Sequence, residues 1–194
     1  EDKTGMLWVA SENFGLSRID LNTFKIRNFP IPVNRQLEDR YINTLYIDKK
    51  GIIWIGAETG SSYFDPVTER YIKVEMQTVQ ANKEIVAFAE DASGNLWAVD
   101  YSGHVFYQKS NEKIFKELVH NLSIGYVNDL VEIADQSFLL ATSDGIFELQ
   151  LSPDAQQSRL KRSTILSGIT PITNLAVDKN GTLWIANELK GIQL

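Results

Sequence analysis

Apolar residues in this chain come in short runs between polar turns, and four of these runs carry a tryptophan at the same place. The clearest run is DKKGIIWIG at residues 48–56, and related phrases lie at residues 2–10, 91–99 and 178–186. An Asp-x-x-Gly turn precedes each tryptophan, which suits a tight turn because Asp bonds its own backbone and Gly accepts positive φ. No stretch has a convincing 3.6-residue period. The pattern therefore predicts strands joined by turns.

A fifth, degenerate copy lies between the last two. Residues 127–130 match 42–45 and residues 143–145 match 58–60, which places Leu139 in the slot of Trp54. The five slot residues are then 46, 43, 42 and 45 residues apart. Each period also contains a strand before the turn, and another glycine followed by a third and a fourth strand. Four short strands per period of this length are typical of a β-propeller blade.

The unbroken apolar run around Trp54 has a simple explanation in a propeller, where each blade is covered on both faces by its neighbours. We expect Ile53 and Ile55 to face one neighbouring blade, and Trp54 and Ile52 to face the other. Burying one such indole ring removes roughly 150–250 Å² from water. The tryptophans are therefore interpreted as packing between blades, and the repeat aspartates as turn caps.

The predicted fold class is all-β, with four-stranded antiparallel propeller blades of about 42–46 residues in a partial or excised segment of a larger propeller. One segment covers residues 1–194: a blade part at 1–34, blades at about 35–79, 80–121 and 122–166, and a blade part at 167–194. If the two ends joined to complete one blade, that blade would receive its second and third strands twice. A closed four-bladed ring would therefore leave surplus strands. We expect open apolar blade faces that contact other blades or propellers of the same protein, or a second copy of the chain.

Composition narrows the classes of partner. The net charge of −6 and the pI of about 5.0 argue against nucleic acid, whose phosphates need a basic surface, and against a polybasic membrane anchor. No run of 18 apolar residues occurs, so no direct membrane insertion is expected. The chain has no cysteine, which excludes disulfides and thiolate metal sites. No metal and no cofactor is predicted. The chain begins at Glu1 with no signal-peptide pattern, so any targeting segment is expected outside it.

The repeated phrase Asp-x-x-Gly-x-Leu/Ile-Trp-Ile/Val-Gly/Ala, followed by a glycine, a strand and Asp-x-x-Thr, resembles the two-component regulator propeller repeat. Residues 43–56 are the best copy, residues 174–186 come next, and the resemblance covers the whole chain. It implies a periplasmic sensor region of a hybrid two-component histidine kinase. Such regions commonly sense glycan fragments and precede a membrane span. No kinase, receiver or DNA-binding segment lies within these residues.

Candidate ligand contacts lie on the loops that lead into the innermost strands, because propellers usually bind ligands at one face near the central channel. These loops offer aromatic faces and fixed polar groups, as a carbohydrate or anionic sugar would need. The candidates are Arg40, Tyr41, Lys83, Tyr126, Asn128 and Asn174. His104 and His120 have no second histidine or carboxylate at metal-ligand spacing and are interpreted as surface or strand-edge residues.

Three function classes remain open. The leading hypothesis is a non-catalytic sensor propeller that binds an oligosaccharide and signals to a membrane-bound histidine kinase. The rival is a propeller enzyme that acts on polysaccharide, either a lyase or a glycosidase. No catalytic residue is predicted, because no Gly-x-Ser-x-Gly elbow, His-Glu-x-x-His or Walker sequence occurs. A pure assembly scaffold is the third option.

Overall fold

The fold is built from five sheets that follow one another along the chain, and all described strand pairs but one are antiparallel. A computed structural model describes residues 1–11, 15–32, 41–78, 84–134, 137–164 and 170–193. We name the sheets blades A to E. Their strands are β1 (Met6–Ser11), β2 (Gly15–Asp20) and β3 (Ile26–Phe29) in blade A; β4 (Ile42–Ile47), β5 (Ile53–Ala57), β6 (Gly60–Asp65) and β7 (Arg70–Lys73) in blade B; β8 (Glu75–Gln77), β9 (Ile85–Glu90), β10 (Leu96–Asp100), β11 (Val105–Gln108) and β12 (Ile114–Leu118) in blade C; β13 (Val127–Ala134), β14 (Ser137–Thr142), β15 (Gly145–Gln150) and β16 (Arg159–Arg162) in blade D; and β17 (Ile172–Val177), β18 (Leu183–Asn187) and β19 (Gly191–Gln193) in blade E.

The all-β propeller fold is confirmed. The innermost strands β4, β9, β13 and β17 contact one another in that order, and the remaining strands of each blade extend outward from them. A short 3-10 helix at Ala155–Gln157 lies in the connection between β15 and β16. No helix in the described ranges is both long and apolar enough to span a bilayer.

Strand register is the same in every blade that has an innermost strand. The slot residue pairs with one fixed position of the preceding strand: Trp54 with Tyr46, Trp97 with Ala89, Leu139 with Val131, and Trp184 with Ala176. The degenerate copy is therefore aligned as the sequence predicts, with Leu139 in the tryptophan slot.

In blades A to D the slot residues are wedges between successive blades. Trp54 contacts Phe88 and Phe115 of blade C, at ring-centroid distances of 6.3 and 5.8 Å. Ile53 and Ile55 point the other way, into the core shared with blade A. The expected division of this strand between two neighbours is confirmed, and it explains why β5 has almost no polar residue.

Each repeat aspartate has two tasks. In blade C, Asp91 Oδ1 accepts the backbone N–H groups of Ser93 and Asn95, which closes the turn. Its Oδ2 accepts the indole N–H of Trp97 at 2.9 Å. The same indole bond joins the aspartate and tryptophan of the other three tryptophan repeats, at 2.8, 3.0 and 3.1 Å. The carboxylate thus couples the turn to the buried ring, so the predicted turn caps also fix the tryptophans.

These bonds favour the charged carboxylate. Burial alone would raise the pKa of Asp2, but hydrogen bonds from Thr4, Trp8 and Met6 hold it at about 2. The backbone N–H of Thr182, together with the indole of Trp184, likewise lowers the pKa of Asp178.

One strand has a role that the repeat pattern did not predict. After β7 closes blade B, β8 crosses to the outer edge of blade C and pairs parallel with β12. Blade C consequently has five strands, and the chain of blade B covers its edge. An otherwise exposed edge strand is thereby protected from pairing with other chains.

Candidate functional site

A cleft lies between blades C and D, on the face where the innermost strands begin. We call it the connector cleft, because the segment that joins β12 to β13 forms one wall. It has a volume of about 330 Å³. Its lining consists of three stretches of chain, residues 102–104, 117–120 and 122–126. This is the face on which the sequence analysis placed the candidate ligand contacts.

Two stacked tyrosines mark one end of this region. Tyr126, which lines the cleft, lies against Tyr101 with a centroid distance of 4.7 Å and an interplanar angle of 12°. Tyr126 remains 58% exposed and Tyr101 38% exposed. A large exposed ring held by a second ring is a preformed platform on which the flat apolar face of a ligand can stack.

The backbone around this stack is held by both blades. The N–H of Tyr101 donates to the carbonyl of Glu84 at 2.8 Å, and its carbonyl accepts the N–H of Val127 at 3.0 Å. The N–H of Tyr126 donates to Ser143 Oγ at 3.0 Å. The two rings are therefore mounted on positions with fixed hydrogen bonds in blades C and D, which limits the entropy that binding a ligand would cost.

A histidine and a buried carboxylate lie beside the platform. His104 Nδ1 is 2.7 Å from Oδ2 of Asp100, whose side chain is almost completely buried. Asp100 Oδ1 also accepts the backbone N–H of His104 at 2.8 Å, so the carboxylate caps the turn between β10 and β11. The carboxylate favours a proton on Nδ1 and orients the imidazole, as the third member of an acid–base arrangement does.

The second cleft histidine is half-buried. His120 Nε2 lies 3.0 Å from the carbonyl of Gly103, and because a carbonyl only accepts, Nε2 carries the hydrogen. Its Nδ1 is buried and has no hydrogen-bond partner among the described residues. Nδ1 therefore has an unused acceptor site, which a ligand hydroxyl or a water would reach only if the residues around it shifted.

The predicted ligand contacts do not all come together. Tyr126 lines the connector cleft, whereas Tyr41 and Asn174 are exposed and do not line it. Asn128 instead joins two blades, because its amide donates to the carbonyl of Ile172 at 2.8 Å. Arg40 and Lys83 lie outside the described residues.

Sequence reasoning missed three residues of this region: Tyr101, Asp100 and His104. The interpretation of His104 as a surface or strand-edge residue overlooked its buried carboxylate partner. A signal was available, since Asp100 and His104 flank a tight turn at a spacing of four residues, where side chains at the two strand ends meet. Tyr101 has no such local signal, because its partner Tyr126 is brought to it by the packing of the next blade. Within the described part of the chain, no three His, Asp or Glu side chains cluster as a metal site would require.

Comparison with known proteins agrees with the repeat resemblance. The family model described as "two component regulator propeller" matches residues 36–59. A search of curated proteins finds no match.

Solved structures share the fold at low sequence identity. One is the extracellular domain of a protein described as a hybrid two component system from B. thetaiotaomicron, with 21% identity, a TM-score of 0.73, and coverage of 97% of this chain and 25% of that one. Virginiamycin B lyase from Staphylococcus aureus has 14% identity and a TM-score of 0.74, with 95% and 60% covered. PorZ, a surface component of the type-IX secretion system of Porphyromonas gingivalis, has 19% identity and a TM-score of 0.73, with 98% and 30% covered. The chain thus spans about a quarter of the length of the first of these relatives.

Proposed function

Because the chain carries a two component regulator propeller repeat at residues 36–59, we propose that it is part of a non-catalytic sensor propeller. In this proposal the propeller lies outside the cytoplasm, in the periplasm, and belongs to a hybrid two-component regulator. It binds a glycan-derived oligosaccharide and signals to a membrane-bound histidine kinase. The likeness to an extracellular domain of a hybrid two component system supports this assignment.

The observation that carries the proposed binding site is the exposed tyrosine pair at the connector cleft. Tyr126 offers a flat face of the kind on which sugars stack, and the adjoining cleft offers Ser102 and Glu117 as polar groups. A signal would then pass to neighbouring domains as a rigid-body shift, since a stacked array of blades deforms little internally.

The test is a panel of oligosaccharides read first by thermal shift and then by calorimetry. We expect at least one oligosaccharide to stabilise the protein without being converted. Tyr126→Ala should weaken its binding by about tenfold or more, because a lost stacking contact is worth roughly 1–3 kcal/mol. Tyr126→Phe, which keeps the ring, should retain most of the affinity.

A matched control is available in Phe24→Ala, which removes an exposed ring from the turn after β2 in blade A. This variant should bind like the unaltered protein. If every oligosaccharide fails to bind, or if Tyr126→Ala binds as tightly as the control, the connector cleft is not the sensor site.

The second candidate function is a propeller enzyme acting on polysaccharide, a lyase or a glycosidase. The His104–Asp100 pair favours it, because a base oriented by a buried carboxylate is what proton abstraction requires. The structural likeness to virginiamycin B lyase adds to this support. Product formation from any member of the panel, abolished in His104→Ala, would establish the enzyme and overturn the sensor.

A further inference from the structure

A second cleft lies at the outer junction of blades A and B. We call it the outer cleft; its volume is about 400 Å³, within the range of roughly 300–1,000 Å³ that small-molecule sites occupy. Its lining includes Arg27, Phe29, Pro30, Pro32, Glu69 and Arg70. None of these residues belongs to the connector cleft.

Two arginines stand directly opposite each other next to this cleft. Arg18 on β2 pairs in register with Arg27 on β3, and Arg18 in turn pairs with Trp8 on β1. Like charges at directly opposed positions of a sheet repel and destabilise it. Aromatic rings hold both guanidinium groups in place: Arg27 lies 4.9 Å and Arg18 5.9 Å from the ring centre of Phe29.

The corresponding two positions hold other residue types in blades B, C and D. In each blade, the third and fourth strands place one residue each in line with the slot residue, and we call these aligned positions the row. The row holds Tyr63 and Ile72 in blade B, Tyr107 and Lys116 in blade C, and Glu148 and Lys161 in blade D. In blade D the cation is neutralised within the row, since Lys161 Nζ lies 3.2 Å from Glu148. Among blades A to D, only blade A puts two cations in this row, so the arginine pair is not a requirement of the repeat.

The charge of the outer cleft is also opposite to that of the chain. Glu69 binds Arg27 at 2.7 Å, but among the described residues no carboxylate lies within salt-bridge distance of Arg18 or Arg70. Two arginines, Arg27 and Arg70, therefore line the outer cleft with one glutamate, Glu69, in a chain whose net charge is −6. A local cationic cleft of this kind raises the local concentration of anions.

The geometry points to an oxyanion-binding site in the outer cleft, for a small ligand that bears a carboxylate or a sulfate group. Arg27 and Arg70 provide guanidinium forks, which bind such groups through two parallel hydrogen bonds. Phe29, Pro30 and Pro32 provide an apolar wall for the body of the ligand. Glu69 occupies one donor of Arg27 and so competes with the incoming anion. The site is separate from the connector cleft and does not depend on the proposed function.

The experiment is calorimetric titration of the protein, at low ionic strength, with three disaccharides of similar size. One carries a uronate carboxylate, one a sulfate ester, and one is neutral. We expect saturable binding of at least one anionic disaccharide and none of the neutral one, with the two anionic arms showing which oxyanion the site prefers. Binding should weaken as salt is added.

Variants then locate the site. Arg27→Gln should weaken binding by about tenfold or more, because a hydrogen bond between charged groups is lost. Glu69→Gln should strengthen it, since this change removes the competing carboxylate. Lys161→Gln is the matched control, because Lys161 has the position of Arg27 in blade D and a similar exposure, 50% against 55%. The control should bind the anion as the unaltered protein does.

Several results would overturn the inference: no saturable binding of either anionic disaccharide, equal binding of the neutral one, or equal losses in Arg27→Gln and Lys161→Gln. If Arg27→Gln fails to fold, Glu69→Gln alone tests the site. An affinity of Glu69→Gln for the anionic disaccharide that is unchanged or weaker would then count against the site. Anion binding should persist in Tyr126→Ala, so a failure here and a failure of the connector cleft can be told apart.

Discussion

The bond between Asp91 and Trp97 offers a direct test of how the repeat phrase holds the fold. Asp91 accepts four hydrogen bonds: two from backbone N–H groups of its turn, one from the side chain of Asn95 and one from the indole of Trp97. Trp97 is fully buried. Asp91→Ala would therefore leave an indole N–H without a partner and without access to water.

The expected magnitude follows from that burial. An unpaired buried donor costs about 1–3 kcal/mol, and the lost turn bonds add about 1 kcal/mol each, partly offset because a buried charge is removed. We expect a loss of about 3 kcal/mol in the free energy of unfolding. Asp178→Ala removes the same kind of aspartate beside Trp184, which is 41% exposed. The indole bond and the two turn bonds of Asp178 are all exposed, so water replaces them and this variant should lose only about 1 kcal/mol.

Urea unfolding at neutral pH, followed by circular dichroism, measures both losses, and equal denaturant slopes would show that the same transition is compared. A double-mutant cycle with Trp97→Phe isolates the indole bond, with an expected coupling of about 1 kcal/mol or more. If the losses in Asp91→Ala and Asp178→Ala agree within about 0.5 kcal/mol, or if the cycle shows no coupling, burial of the indole bond does not contribute the stability assigned to it here.

Three further predictions address separate contacts. Because the pKa of Asp2 is lowered to about 2 from 3.8, its charged form adds stability above pH 3.8 that is lost as the pH falls toward 2, so Asp2→Asn should flatten that part of a stability-against-pH curve. Gly56→Ala should cost about 1–3 kcal/mol by urea unfolding, because a Cβ there would lie 2.8 Å from the carbonyl oxygen of Ile85 in the next blade; Gly51→Ala has open space and should lose less, despite its φ of +83°. Asn128→Ala should cost about 1 kcal/mol by the same assay, with unchanged oligosaccharide affinity, since its amide joins two blades.

The fold could be predicted largely because one local signal is repeated. Asp-x-x-Gly determines the turn, the alternation around Trp54 determines which side chains face which neighbour, and the period determines the blade. The structure reproduces this even at Leu139, where the tryptophan and the turn phrase are both missing. There the flanking strand and the glycine at 145 carry the register.

The elements that escaped prediction depend on contacts between periods. The strand β8 is defined by its parallel pairing with β12, thirty-nine residues further along the chain, and nothing in the sequence of residues 75–77 indicates that partner. Tyr101 and Tyr126 lie in different blades, as do Arg27 and Glu69. A repeat-based reading finds what the blades have in common, whereas both clefts are built from what distinguishes one blade from the next.

The decisive measurement for a sugar site at the connector cleft is the structure of the protein bound to the oligosaccharide that gives the strongest thermal shift. We expect a sugar ring stacked on Tyr126, with polar groups of the ligand in reach of the connector cleft and no bond of the ligand broken. A ligand bound only away from Tyr126, or a cleaved ligand beside His104, would contradict this expectation.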